Sequence, residues 1–559
     1  ALRDYVAAED PAYAYRVDSS SSGDGYTVHL LRMTSQRWRA PGEALPSRWR
    51  HWLVVIVPDE VSEDVAALVI AGGSGGRGRP SFDDDEIRFG AQLAVLSETV
   101  VAILMQVPYQ PIAFPDADAP LREDALVAYS WDKALETGDY SWAVHLPMVK
   151  AAVRAMDTIQ DFVPGVAPTA LERFVVIGAS KRGAATWLTA VVDPRVAAIA
   201  PMVIDILNFS EQLAHHLAVY GDYAPALSDY VEYGLVQRVD TPEGAALRRV
   251  IDPFSYFDAL DLPKYIIGSS GDQFFPPDAA QFYFPDLPGE KLLRYVPNSD
   301  HSLSNTEAAL IDAVSGLFGW YLAVVDGEPR PTIAWQRVGE EVVVQASPPP
   351  LVARLWQASN PDARDFRLDS IGEAWRATEL SAVERGEYAV SVAPPPTGWT
   401  AYFVELVYPS PRPGLCQVYS TRVFVTPEIR PFEGLQPGTA GEEFVRADGG
   451  LSTASAPDLP RAVSLFDEIF DDVAEEVHEN LLDEAAGDLG ERAPTYCFAR
   501  DLDDLEEAVE LYVRLGFGQS VDGFLEERLE DLWRDVRDGG EDFIDDATDE
   551  VEDAVDDLF

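Results

Sequence analysis

Over the first 326 residues, apolar runs at 53–57, 66–71, 99–107, 173–178, 196–204, 264–268 and 291–296 alternate with stretches of helical periodicity. A strand buried on both faces reads as a continuous apolar run, and its parallel neighbour needs a helical crossover, so the alternation predicts a mostly parallel sheet with helices on both sides. Asp205 to Asp261 is longer than a plain crossover requires and predicts a helical cap inserted at about 205–261. Its aromatics, Phe209, Tyr220, Tyr223, Tyr230, Tyr233, Phe254, Tyr256 and Phe257, either line a substrate pocket or pack the cap's own core; Tyr220 and Tyr223 are the substrate-binding candidates. From 327 to 430 the pattern becomes short alternating runs punctuated by proline triplets at 348–350 and 394–396, which predicts an all-β, immunoglobulin-like sandwich. That domain either packs over the first or binds carbohydrate or peptide. Residues 431–460 are rich in small residues and read as a linker, and 461–559 read as an acidic α-helical extension burying one thin stripe.

The candidate chemistry begins at Arg173–Thr189, RFVVIGASKRGAATWLT, where a β-branched run stops at Gly178-Ala179-Ser180 and turns helical within two residues. A strand-to-helix elbow of this kind displays a nucleophilic serine, and the helix N-terminus favours the negative charge of acyl transfer. The common elbow is G-x-S-x-G; here Arg182 holds the second glycine position and Gly183 follows it. The plain alternative is a serine capping an ordinary helix. In α/β-hydrolases the nucleophile is followed along the chain by an acid and then a histidine, on loops after later strands. Asp272 follows the run 265–268, and His301 follows the run 291–296. Asp300 is too close to His301 to brace it easily and Asp278 opens a predicted helix, so Asp272 is the acid. An oxyanion hole needs the Lys181 N–H and a second donor from an earlier loop, for which Gly73 and Ser74, in the glycine-rich stretch 72–78 after the run 66–71, are placed. The G-x-S-x-x-G spacing with basic residues after the serine also looks like that of glucuronoyl and related carbohydrate esterases, where Arg182 or Lys181 would bind a substrate carboxylate or assist the oxyanion.

With these loops assembled, the chain resembles the PhoPQ-activated pathogenicity-related protein family. The resemblance rests on Met33–Trp38, Ala128–Trp131, Leu146–Asp157, Gly178–Thr189, Asp193–Arg195, Ala200–Asp205, Gly271–Phe275 and Val296–Leu303, and it covers roughly residues 1–430. It implies an α/β-hydrolase fold (1–326) followed by a β domain, with a Ser/Asp/His site carried onto Ser180, Asp272 and His301. It implies no particular substrate. Export is expected from it, with a signal sequence removed upstream; a cytoplasmic place is the alternative.

Asp and Glu number 95 against 42 Lys and Arg, only five of them Lys, for a formal charge of −53. Self-repulsion of that size weakens a compact chain in dilute buffer, and molar salt shortens the screening length to about 3 Å. A salt-adapted protein is therefore expected, and nucleic acid or anionic membrane is excluded as a partner. A disordered acidic chain is excluded too, because 47% of residues are hydrophobic and 11% aromatic. Two cysteines, Cys416 and Cys497, make no disulfide framework. No metal spacing, P-loop or dinucleotide fingerprint is present, so no cofactor and no metal is expected. The chain begins at Ala1 without Met and shows no apolar run of 18 residues, so no membrane span is expected. These readings converge on a serine hydrolase acting on an ester or peptide bond of a small-molecule or peptide substrate. A carbohydrate esterase of glucuronoyl type and a non-catalytic binding or signalling protein are the alternatives, and 461–559 is the candidate surface for a protein partner or self-association.

Overall fold

The computed structural model describes residues 1–82, 84–339, 341–412 and 415–435. The extension expected for 461–559, most of the linker expected for 431–460, and Cys497 lie outside the described residues.

The strands of the first region are β1 (Ala14–Ser22), β2 (Tyr26–Arg37), β3 (Arg48–Pro58), β4 (Val65–Ile70), β5 (Val100–Leu104), β6 (Arg173–Ala179), β7 (Val196–Met202), β8 (Lys264–Ser269) and β9 (Lys291–Val296). Their order in the sheet is β1-β2-β3-β5-β4-β6-β7-β8-β9. Neighbours from β5 to β9 run parallel, and β1, β2 and β3 are added antiparallel at one edge. Each of the seven apolar runs lies within or overlaps a strand. The 99–107 run stops pairing at Leu104, after which the chain turns so that the Val107 N–H reaches the Ala71 carbonyl.

Helices α1 (Leu2–Ala7), α2 (Asp85–Ser97), α3 (Glu123–Thr137), α4 (His145–Phe162) and α5 (Lys181–Val192) come before β7 in the chain. The cap carries α6 (Phe209–Tyr220), α7 (Ser228–Glu232), α8 (Leu235–Arg238) and α9 (Pro242–Ile251), and α10 (Glu307–Val325) follows β9. Two apolar cores sandwich the sheet. One joins it to α3, α4 and α5, the other to α2 and α10. Helices on both faces of a largely parallel sheet, with the strand order above, make this an α/β-hydrolase fold.

Ala308–Val325, within α10, is long and apolar enough by composition to cross a membrane, although Asp312 interrupts its apolar run. Its burial explains that composition: Trp320, Tyr321, Leu322 and Ala323 are fully enclosed, and the helix packs against both the parallel sheet and the β region that follows.

That β region contains β10 (Thr332–Val338), β11 (Glu341–Ser347), β12 (Val352–Asn360), β13 (Arg376–Glu379), β14 (Glu387–Ser391), β15 (Trp399–Pro409), β16 (Cys416–Ser420) and β17 (Phe424–Thr426). Strands β10, β11 and β14 form a separate antiparallel sheet. Strands β16-β15-β12-β13, with β17 on β15, extend the main sheet beyond β9 through the pairing of Ser420 with Leu293. The larger β sheet is thus continuous with the hydrolase sheet rather than a free-standing layer. The seam is buttressed by the Tyr295 N–H on the Ser420 hydroxyl at 3.1 Å, the Tyr265 hydroxyl on the Val418 carbonyl at 2.7 Å, and a buried ion pair of Arg294 with Glu405.

Candidate active site

Strand β6 ends at Ala179 and α5 begins at Lys181, leaving Ser180 alone on the elbow with φ 53° and ψ −127°. A non-glycine residue with positive φ is strained, and such strain is held in place only by rigid surroundings. The small neighbours explain how the turn closes. A Cβ on Gly178 would lie 2.7 Å from the Arg182 carbonyl oxygen, and one on Gly183 would lie 2.8 Å from Ile204.

Asp272 leaves the end of β8 and His301 the end of β9, two strands that pair in parallel with Ser269 opposite Val296. Their loops therefore rise side by side. His301 Nδ1 lies 2.9 and 3.0 Å from the two Asp272 oxygens, and His301 Nε2 lies 2.9 Å from Ser180 Oγ. Asp272 Oδ1 also accepts the Phe274 and Phe275 N–H groups, which fixes the carboxylate. The imidazole rests against the Phe274 ring at 4.3 Å between centroids, and its own N–H of the main chain donates to Gln273 Oε1 at 2.8 Å. Both rival acids are engaged elsewhere: Asp300 accepts the Ser302 N–H and hydroxyl, and Asp278 pairs with His215 and Arg364.

The glycine-rich loop comes to the same place through register. β4 pairs with β6 so that Ile70 stands opposite Gly178, and two residues further along each chain Gly72 is level with Ser180. Gly73, with φ 105°, and Ser74 follow. Among the described residues, no acceptor takes the main-chain N–H of Gly73, Ser74 or Lys181. The loop is braced from behind: the Gln106 side chain donates to the Ser74 carbonyl at 2.8 Å, and the Gly75 N–H to the Gln110 carbonyl at 2.5 Å.

The two basic side chains after the nucleophile do not face this space. Arg182 is 3% exposed and spends its guanidinium on the Val107 carbonyl (2.6 Å) and both oxygens of Glu123 (3.0 and 2.8 Å). Lys181 Nζ lies 2.8 Å from Glu123 and 3.2 Å from Asp124. Burial opposes ionisation of Glu123, but Arg182 and Lys181 outweigh it and hold the carboxyl well below its usual range. Burial likewise works against the Lys181 ammonium, and Asp124 and Glu123 raise it above its ordinary value. The expected use of these side chains on a substrate carboxylate is therefore corrected, because their hydrogen bonds are already taken by carboxylates of this chain.

Tyr220 and Tyr223 flank His216 in the cap, at 4.8 and 5.7 Å between ring centroids, and the Arg367 guanidinium lies over Tyr220 at 4.9 Å. Among the described residues neither makes a ring contact or hydrogen bond with the triad, so the substrate-binding assignment finds no support in their contacts. Other cap aromatics pack on α3: Tyr230 and Phe209 on Trp131, and Tyr233 on Tyr129.

Sequence reasoning missed two groups. One is the pair Glu123-Asp124; two adjacent cations at a buried helix start demand carboxylate partners, and that demand was the available signal. The other is Asp205, just beyond β7, which accepts the Tyr283 hydroxyl and, at 2.7 Å, the Tyr295 hydroxyl. Burial pushes Asp205 up to about 6, against those hydroxyls and helped by the nearby charge of Asp272. No group of three or more His, Cys, Asp or Glu side chains among the described residues is arranged to hold a metal ion.

Comparison with known proteins gives the geometry a context. Residues 2–367 match the family described as PhoPQ-activated pathogenicity-related protein. Autocrine proliferation repressor protein A of Dictyostelium discoideum is 33% identical over 482 residues, covering 81% of this chain and 96% of that protein. Among solved structures, acetyl xylan esterase 1 from Thermoanaerobacterium is 15% identical, with a TM-score of 0.38, over 57% of this chain and 91% of its own. A glucuronoyl esterase from Solibacter usitatus is 16% identical, with a TM-score of 0.33, over 58% of this chain and 90% of its own. By the span of the family match and the identity to the Dictyostelium protein, this chain belongs to the PhoPQ-activated pathogenicity-related protein family.

Proposed function

We propose that the protein is a serine hydrolase that cleaves an ester or peptide bond through an acyl-enzyme. The reading is carried by one observation, the unbroken line from Ser180 Oγ through His301 to Asp272. Ser180 Oγ attacks the carbonyl carbon while His301 Nε2 takes its proton, and Asp272 orients the ring and stabilises the imidazolium. The oxyanion is held by the N–H groups of Lys181 and of Gly73 or Ser74. Collapse breaks the bond to the leaving group, which receives the proton from His301. Water then attacks the acyl carbon, giving its proton to His301, and the acid departs as Ser180 is reprotonated. A carbohydrate esterase that reads a carboxylate through Arg182 is disfavoured, since Glu123 occupies that guanidinium.

The test is labelling by a fluorophosphonate in molar KCl, comparing wild type with Ser180→Ala and His301→Ala. Labelling lost in both variants supports the hydrolase; a folded wild type that stays unlabelled moves the non-catalytic binding reading to the front. Salt adaptation belongs to the same proposal. With a net charge of −53, the midpoint of thermal unfolding rises with KCl between 0.1 and about 2 M by more than an equal osmolarity of sucrose achieves. An unchanged midpoint would remove this part of the reading.

A further inference from the structure

The two halves of the proposed oxyanion hole, Lys181 and Gly73–Ser74, come from distant segments of the chain, and a single side chain touches the supports of both. Glu123, the first residue of α3, takes the Arg182 guanidinium at 3.0 and 2.8 Å and Lys181 Nζ at 2.8 Å, which ties it to the two residues after the nucleophile. Its carboxylate also accepts from the Gln110 side-chain amide, and its own main-chain N–H donates to Gln110 Oε1 at 2.8 Å. Gln110 in turn accepts the Gly75 N–H through its carbonyl, holding the glycine-rich loop. Arg182 Nε closes the circuit on the Val107 carbonyl, at the start of the same segment. Glu123 adopts a positive φ of 45°, strain that a solvated surface glutamate has no reason to carry and that tertiary contacts must sustain.

We propose that Glu123 is a positioning residue that fixes the spacing between the Lys181 N–H and the Gly73–Ser74 N–H groups, so that both donors meet the developing oxyanion. The proposal rests on the hydrolase reading above. A bidentate carboxylate facing a guanidinium allows little latitude in angle, and misplacement by about 1 Å in an active site costs on the order of 100-fold in rate. The distinction from a merely structural ion pair lies in what is lost. A loosened oxyanion hole weakens the transition state and leaves ground-state binding alone.

The experiment uses the full chain in molar KCl and follows phosphonylation of Ser180 by an alkyl fluorophosphonate, separating the maximal rate constant from the apparent binding constant. For Glu123→Gln, which keeps the shape and removes the charge, the maximal rate falls about 10- to 100-fold while the binding constant stays within about two-fold of wild type. Gln110→Leu removes the side-chain amide that joins Glu123 to the segment holding the glycine-rich loop, without unpairing Arg182 or removing the Gln110 carbonyl from Gly75, and it lowers the maximal rate in the same way. A maximal rate within two-fold of wild type in either folded variant, or a binding constant that worsens in parallel with the rate, overturns the proposal. Loss of folded structure in both variants, read by circular dichroism, overturns it as well, because a positioning role requires a folded enzyme. Failure of the hydrolase reading is seen separately, as a wild type that never labels.

Discussion

Two histidine–aspartate pairs take their aspartates from positions six residues apart after β8, and they differ in almost everything except their distance. Asp272 holds His301 at 2.9 Å, and Asp278 holds His215 at 2.8 Å. The first imidazole is 16% exposed at its side chain and offers its other nitrogen to Ser180; the second is 2% exposed, lies in the cap, and among the described residues has no hydrogen-bond partner on its other nitrogen. Asp278 also carries Arg364 at 2.7 Å, so it answers two potential cations where Asp272 answers one. Burial works against the Asp278 charge, but His215 and Arg364 outweigh it and hold the carboxyl well below its ordinary range. A His–Asp pair is thus not a site in itself. What separates a relay from a rivet is a third group that can give up a proton, placed where a substrate can reach it.

The sharpest way to break this comparison is to remove the imidazoles in turn. Ser180→Ala and His301→Ala should each lower kcat by about 10⁶-fold, as loss of a triad member does in serine hydrolases. His215→Ala should leave kcat within about three-fold and lower the unfolding midpoint instead. Equal losses of kcat from the two histidines, on any ester that the wild type turns over, would end the distinction.

The aspartates sharpen it further. Asp272→Asn keeps the geometry but permits the wrong tautomer of His301, and a fall of about 10⁴-fold in kcat is expected. Asp278→Asn leaves Arg364 buried at 5% exposure without its counter-charge, which costs about 3–5 kcal/mol of stability with kcat of the folded fraction unchanged. Urea titration beside initial rates reads both quantities. A stability loss from Asp272→Asn larger than that from Asp278→Asn would reverse the assignment.

Much of this contrast was legible in the sequence. Ser180, Asp272 and His301 stand where apolar runs stop at small residues, and a parallel sheet puts all such ends on one edge. The loop at Gly73 and Ser74, which follows β4, was read by the same logic. What stayed hidden depends on side-chain pairing across long separations. Glu123 meets Arg182 from 59 positions away, and nothing in its local sequence distinguishes it from other acidic residues of a chain with 95 of them. The hairpin β1–β2 escaped because β1 reads AYRVDSSSS and buries little. The β region showed its strands, but its attachment to β9 is a matter of one register pair, Ser420 with Leu293, that local alternation does not encode. Tyr220 and Tyr223 were singled out by composition alone, and their contacts are with His216 and Arg367.

Asp205 supplies the third case in the comparison, an aspartate whose side-chain partners among the described residues are hydroxyls rather than cations. Two tyrosine hydroxyls donate to it, yet burial dominates and raises it to about 6. In the unfolded chain the same group sits near 3.9. Between about pH 4 and 6 the folded state therefore holds a proton that the unfolded state has lost, and stability must fall as pH rises through that window. A shift of roughly two units corresponds to about 3 kcal/mol, present as a penalty above pH 6 and relieved below pH 4. Asp205→Asn removes the titration, so the stability difference between variant and wild type should grow in favour of the variant from pH 4 to 7. Paired carboxylates elsewhere slope the other way, which is why the difference between the two proteins, by urea unfolding in constant salt, is the quantity to measure. A difference that stays flat across that range would mean Asp205 is ionised in both states, and that two hydroxyls suffice to hold a buried carboxylate where Asp278 needs two cations.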